Sequence, residues 1–183
     1  MSEADLALHN ALTCVRVSPE DFDLGAEVAA LRGQDPHVGA VVSFVGTVRE
    51  WTQTPQTPQT PQTPSGPAAC MELEHYPGMT ERSIAALIVE ARQRFDVRGV
   101  KVIHRVGPLA VCDQIVLVVV SSAHRGEAFQ CAEFLMDWLK TQAPFWKKES
   151  AGGESAWVDA RVSDDQAAAR WGGLHTPPNV AQP

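Results

Sequence analysis

The segment Leu139-Lys-Thr-Gln-Ala-Pro-Phe-Trp-Lys-Lys-Glu149 holds three of the four lysines of a chain whose net charge is −7. A local excess of cations in an acidic protein suits a small anionic ligand. It does not suit a nucleic-acid backbone, which demands a broadly basic surface. Lys140 falls on the last turn of a helical pattern, where an ammonium group also interacts with the helix dipole and needs no ligand to account for it. In an unbroken helix Lys140 and Lys147 would lie about 10 Å apart along the axis. Pro144 ends that helix by pushing its predecessor out of the α region, so the chain can fold back and bring both ammonium groups to one anion. Phe145 and Trp146 beside them would form a partly dry wall, where charge counts for more.

Two further patches carry cations. Ser121-Ser-Ala-His-Arg-Gly126 runs from a buried strand into a helix start, where free N–H groups and the side chains of His124 and Arg125 could hold an anion. Read locally, it is equally an exposed loop with a serine cap. In Gly46-Thr-Val-Arg-Glu50, Arg49 closes a long strand and gains meaning only in company with the other patches. There is no G-x-S-x-G elbow, no H-E-x-x-H and no clearly placed Cys–His pair. The four cysteines, Cys14, Cys70, Cys112 and Cys131, form no C-x-x-C pair and have no histidine at ligand spacing. Neither a zinc site nor a disulfide framework is expected. Cys131 in a helical pattern and Cys14 in a strand pattern read as small buried thiols. The residues thus point to cations gathered around an anionic substrate, with the reactive group brought by a partner.

The elements that must position these residues follow from pattern. Ala11–Val17 reads as a first strand, 26–32 as a short helix, and Val38–Val48 as a long strand bent at Gly39 and Gly46. The Gln-Thr-Pro repeat over 52–67 favours extended polyproline II and offers nothing apolar to bury, so it is expected to be a disordered or extended surface insert. Cys70–His75 resumes as a strand. Thr80 is the expected N-cap of a helix to Phe95, whose apolar stripe is Ile84, Leu87, Ile88, Ala91 and Phe95. Val100–Val106 and Gln114–Ser121 are strands joined by a turn near Pro108. A second long helix spans 126–141, Trp157–Ala160 is a short strand, and Ser163-Asp-Asp-Gln166 is a capping box opening a last helix to Trp171.

The fold class expected is α+β: a largely antiparallel mixed sheet covered by helices, α/β hammerhead-like, in a single domain over 1–171 with a flexible tail over 172–183. A length of 183 residues with 44% hydrophobic and 20% charged residues fits one soluble domain. The longest aliphatic run, Ile115 to Val120, falls far short of a membrane span. The acidic N-terminus lacks the features of a secretory signal, so a cytoplasmic location is expected, with neither membrane nor nucleic acid as partner.

Five strings occur in order: Glu74-His-Tyr-Pro-Gly-Met79, Ile103-His-Arg-Val-Gly107, Ser122-Ala-His-Arg125, Leu139-Lys-Thr through Ala143-Pro-Phe-Trp-Lys147, and Trp157-Val-Asp-Ala-Arg161. Together, over roughly Val38 to Trp171, they closely resemble the large, catalytic subunits of molybdopterin synthase, the MoaE family. The resemblance implies a homodimer within a heterotetramer, with a small ubiquitin-like sulfur carrier docked at each end. The carrier's Gly-Gly tail, as a thiocarboxylate, would supply sulfur to cyclic pyranopterin monophosphate, forming the dithiolene that later holds molybdenum. It implies no cofactor and no metal of the chain's own. It assigns catalysis to Lys140 and Lys147, and substrate binding to both of these with Thr47, Val48, Arg49 and Lys148. Glu149 and Arg161 match charged positions near the same site. His124 and Arg125 match phosphate and pterin contacts drawn from the opposite protomer, and Phe44 and Met136 match residues near the channel. Two departures stand out: Gln142 sits where a basic residue is expected, and the repeat follows Arg49 where the family has a shorter loop. The rival readings are a non-catalytic module that docks a ubiquitin-like protein, and a lysine Schiff-base enzyme.

Overall fold

The structure, a computed structural model, describes residues 2–49, 70–151, 154–158 and 168–172. The aliphatic run fixes its centre. In β6 (Gln114–Ser122), Val116, Val118 and Val120 enter one apolar cluster while Leu117 and Val119 enter another. A strand with no polar face must be covered on both sides. It is flanked by β4 (Gly99–Arg105) and β2 (Ala40–Thr47), both antiparallel to it, and β1 (Val15–Ser18) pairs in parallel with β4, giving the order β1-β4-β6-β2.

Helices α3 (Met79–Arg94) and α4 (Arg125–Gln142) cover one face of this sheet, burying Ile84, Leu87, Ile88, Phe134 and Leu135 against Val100, Val102 and Val118. Helix α2 (Leu24–Arg32) covers the other, with Phe22 buried and Leu24, Val28 and Leu31 packed over Ile103, Leu117 and Val119. The helices therefore sandwich the sheet. Residues Ala168–Gly172 are held on α4: Trp171 Nε1 donates to Asp137 at 2.8 Å, and the indole meets the Phe134 ring edge-on at 5.6 Å.

The remaining strands make a separate antiparallel sheet, β5-β3-β7-β8, from β5 (Gly107–Leu109), β3 (Cys70–His75), β7 (Phe145–Ala151) and β8 (Glu154–Val158). Its apolar cluster is small: Val48, Met71, Leu73 and Leu109, with Ile115 packed against it. The α+β class holds, with the strands divided between two sheets.

Four local expectations change. Ala11 and Leu12 belong to a helix, α1 (Glu3–Leu12), opened by a capping box in which Ser2 accepts from Asp5 N and the Asp5 carboxylate accepts from Ser2 N. The strand begins only at Val15, which leaves Cys14 in the intervening turn. Helix α3 starts earlier than expected, with Gly78 as cap at φ +81°, and Glu81 Oε2 accepts from the Gly78 N–H at 2.6 Å. Pro108 lies within β5, which pairs with β3 alone; a proline is tolerated at such an edge. Strand β8 is Glu154–Val158, earlier than the expected Trp157–Ala160. The repeat at 52–67, the Ser163–Gln166 box and all of the tail but Gly172 lie outside the described residues.

Candidate functional site

The lysine-bearing corner is built from three pieces of covalent and hydrogen-bond logic. Helix α4 runs to Gln142, with Lys140 exposed on its last turn. Pro144 cannot continue it. Phe145 N donates instead to the Ala143 carbonyl at 2.9 Å, an i to i+2 bond that makes a three-residue turn centred on the proline. The chain then enters β7 directly, and the ladder sets Lys147 opposite Leu73 of β3.

Register decides what that opposition means. Directly opposed residues of an antiparallel pair share a face. Leu73 and Met71 are buried, so Lys147 rises from the apolar side of the second sheet, while its neighbour Trp146 lies on the other side, 47% exposed. Lys147 is half-buried.

Strand β2 approaches the same place. Its register shifts between Gly46 and Thr47. Val48 then leaves the ladder, donating its N–H to the Asp113 carbonyl at 2.8 Å and accepting from Cys112 N at 2.7 Å. Val48 is buried in the same cluster as Leu73, and Arg49 follows it, exposed. Thr47–Arg49 and Lys147 thus share one apolar footing. Phe44, 42% exposed on β2, and Met136, partly buried one turn before Lys140, lie on elements that pack against each other. By register Lys148 pairs with Glu72, and Glu149 with Met71. Arg161 lies outside the described residues.

His124 and Arg125 do not join this group. They sit, exposed, at the opposite end of α4 from Lys140. Fifteen residues of helix separate Arg125 from Lys140, about 22 Å at the standard rise. Within one chain these cations cannot grip one small anion.

Four residues at the corner escaped the sequence reading of the site. His104 stacks on Phe145, ring centroids 3.8 Å apart and 18° from parallel. Burial, with a smaller effect of nearby His75, pushes the His104 ring down to about 4, so it is neutral at pH 7. A carbonyl can only accept, so the 2.8 Å contact with the Arg105 oxygen puts the ring proton on Nδ1. Thr80, wholly buried, accepts from Tyr76 N and donates to the Pro144 carbonyl, both at 3.2 Å. His75 Nε2 lies 3.8 Å from the Glu81 carboxylate. His75 and His104 lie within the strings at 74–79 and 103–107, and Thr80 and Glu81 directly follow the first of them. The Cys131 thiol, pushed up to about 12 by burial, is no nucleophile at neutral pH. Among the described residues no group of side chains could hold a metal ion, and no helix is long and apolar enough to cross a membrane.

Comparison with known proteins gives a consistent result. The family described as MoaE protein matches residues 17–142. The chain is 54% identical over 158 residues to the molybdopterin synthase catalytic subunit of Ralstonia nicotianae, covering 86% of this chain and 84% of the relative. A solved molybdopterin biosynthesis MoaE protein from Burkholderia ambifaria superposes with a TM-score of 0.70 at 49% identity, over 87% of this chain and 97% of that one. A molybdopterin synthase structure from Staphylococcus aureus gives 0.67 at 29% identity, over 79% and 96%.

Proposed function

This chain belongs to the MoaE family of molybdopterin synthase catalytic subunits, and we propose from that premise that it moves sulfur between two anions. The donor is the thiocarboxylated C-terminus of a small ubiquitin-like partner. The acceptor is cyclic pyranopterin monophosphate, converted to the dithiolene of molybdopterin. The observation that carries this reading is the corner at Pro144, which sets Lys140 and a half-buried Lys147 on either side of one short turn.

The chemistry follows from charge. A thiocarboxylate and a cyclic phosphate repel each other, and ammonium groups at a partly dry wall offset that repulsion. The carrier's sulfur attacks an oxygen-bearing carbon of the pterin precursor, forming a C–S bond while the C–O bond at that carbon breaks and the departing oxygen takes up a proton. Water then attacks the carrier's acyl carbon, and the acyl C–S bond breaks, leaving sulfur on the pterin and a carboxylate on the tail. The tetrahedral oxyanion of that second step is where a fixed ammonium contributes most. Lys140 and Lys147 supply these charges, Thr47, Val48, Arg49, Lys148, Glu149 and Arg161 contribute to substrate binding, and Phe44 and Met136 border the channel for the tail. The 22 Å estimate along α4 favours a homodimer in which His124 and Arg125 of one protomer serve the lysines of its partner. The whole assembly is then a heterotetramer.

The test is direct. The chain is incubated with a thiocarboxylated ubiquitin-like carrier and the pterin precursor, and the carrier's C-terminus is followed by intact mass. Conversion of thiocarboxylate to carboxylate, dependent on both the chain and the precursor, is expected. A carrier that docks but keeps its sulfur would leave only a binding module.

A further inference from the structure

The half-turn between α4 and β7 is held by contacts from two distant parts of the chain. The Thr80 hydroxyl, at the start of α3, spends its proton on the Pro144 carbonyl and its lone pair on Tyr76 N. His104, at the end of β4, lays its ring against Phe145, the first residue of β7. Its place in the row Val100–Val102–His104 puts it on the face of the first sheet that α3 and α4 cover, so the stack is a bridge between the two sheets. Phe145 forms the last rung of the β3–β7 ladder, opposite His75, and Lys147 is two residues further on, on the same face.

A strand whose register slips by one residue turns every side chain to the opposite face. At β7 such a slip would carry Lys147 to the side now occupied by Trp146. The small apolar cluster of the second sheet offers a weak defence against it, whereas the corner offers a strong one. We propose that Thr80 and His104 are positioning residues, which fix the exit of the chain at Pro144 and thereby hold Lys147 on the inner face of the second sheet. The proposal rests on the reading of Lys147 given above, and extends it to residues that act on Lys147 through Pro144 and Phe145.

The test uses Thr80→Val, which keeps shape but loses the donor, and His104→Leu, which loses the stacked ring. Thr80→Ser and His104→Phe are the conservative partners that retain the contact. Rates are normalised to folded protein by circular dichroism. A displaced catalytic group costs chemistry more than binding, so kcat for sulfur transfer is expected to fall about 10- to 100-fold, with KM for carrier and precursor changed less than about twofold. Thr80→Ser and His104→Phe should restore kcat. A second readout needs no activity: the ε-carbon NMR signal of Lys147, assigned with Lys147→Arg, should move in Thr80→Val and His104→Leu while that of Lys101 stays. An unmoved Lys147 signal with normal kcat in the folded variants would overturn the proposal. Loss of the fold in both would do so too, because the contacts would then be structural props. A moved Lys147 signal with unchanged kcat would uphold the positioning and defeat the reading of Lys147 in transfer.

Discussion

The two sheets are built on opposite plans. The first is covered on both faces, and its central strand has seven consecutive buried residues from Val116 to Ser122. The second rests on a cluster of four buried side chains and carries Lys147 on the same face as that cluster. Buried apolar packing is concentrated in the first sheet, and Lys147 is carried by the sheet where that packing is thin. Among the described residues, the sheets meet through stacked rings at His104 and Phe145. The separation implies that damage to each sheet should have its own signature.

The largest effect is expected in the first sheet's core. Phe134 is fully buried and packs edge-on against Phe95 and Trp171. Phe134→Ala should cost about 3–5 kcal/mol of stability, read from urea unfolding, with the rate per folded molecule preserved. A rate loss larger than the loss of folded protein would break the proposed division. Next comes Lys147→Ala, which should leave unfolding unchanged while removing a charge-assisted contact worth about 2–5 kcal/mol. That corresponds to a rate loss of roughly 30- to 4,000-fold. Near-normal turnover at saturating carrier would remove Lys147 from the mechanism.

Mixing sharpens the comparison by asking whether one site needs two chains. Lys147→Ala and Arg125→Ala protomers, each inactive alone, are allowed to exchange. With random exchange about half the dimers are mixed and one site in each escapes both defects, so roughly a quarter of sites should recover. Exchange proven by native mass spectrometry with no recovery would confine each site to one chain.

Acid should weaken the joint between the sheets. Native His104 holds its proton only near pH 4, while the unfolded chain binds one near the ordinary value of 6.5. The unfolded state therefore gains the proton first. The stability is fully present above pH 6.5 and declines as pH falls toward 4, by about 2–3 kcal/mol once partial exposure of the ring is discounted. The neighbouring titratable group acting on it is His75, whose Nε2 lies 3.8 Å from the Glu81 carboxylate. In His104→Phe this share of the acid sensitivity should vanish; an identical pH profile would show that the ring titrates normally. The smallest effect belongs to deletion of residues 54–63 of the repeat, outside the described residues. Their composition offers no large apolar side chain, and closing a shorter loop changes stability by only about 0.6 kcal/mol per halving. A large fall in melting temperature would show that the repeat is packed.

What the sequence revealed tracks how local each signal is. The apolar stripe of α3, the aliphatic run of β6 and the proline stop after α4 are local patterns, and each appears where expected. The break between Lys140 and Lys147 is legible because one proline ends the helix between them. Helix α1 was missed because the strand-like run from Ala11 drew attention away from a capping box at residues 2–5. Thr80 was assigned to a cap, although its hydroxyl serves a carbonyl 64 residues away. In sequence His104 is one histidine within the expected strand Val100–Val106. Its role needs Phe145, and nothing in either neighbourhood announces the pairing. The split into two sheets was likewise invisible, since strand partners are a global property.

Helix α4 has one cationic patch at its start and another at its end, and this makes its length a measured quantity. Adding or removing a single residue would shift one patch by about 1.5 Å along the axis and rotate it about 100° relative to the other. Each such error would be doubled in an assembly whose sites each draw on both ends of the helix. Insertions and deletions should therefore be barred from 125–142, however hydrophilic the residue added, and channelled into segments that span no pair of functional groups. The run of Gln-Thr-Pro units, placed between Arg49 and β3, is the kind of segment whose length such a constraint leaves free to vary.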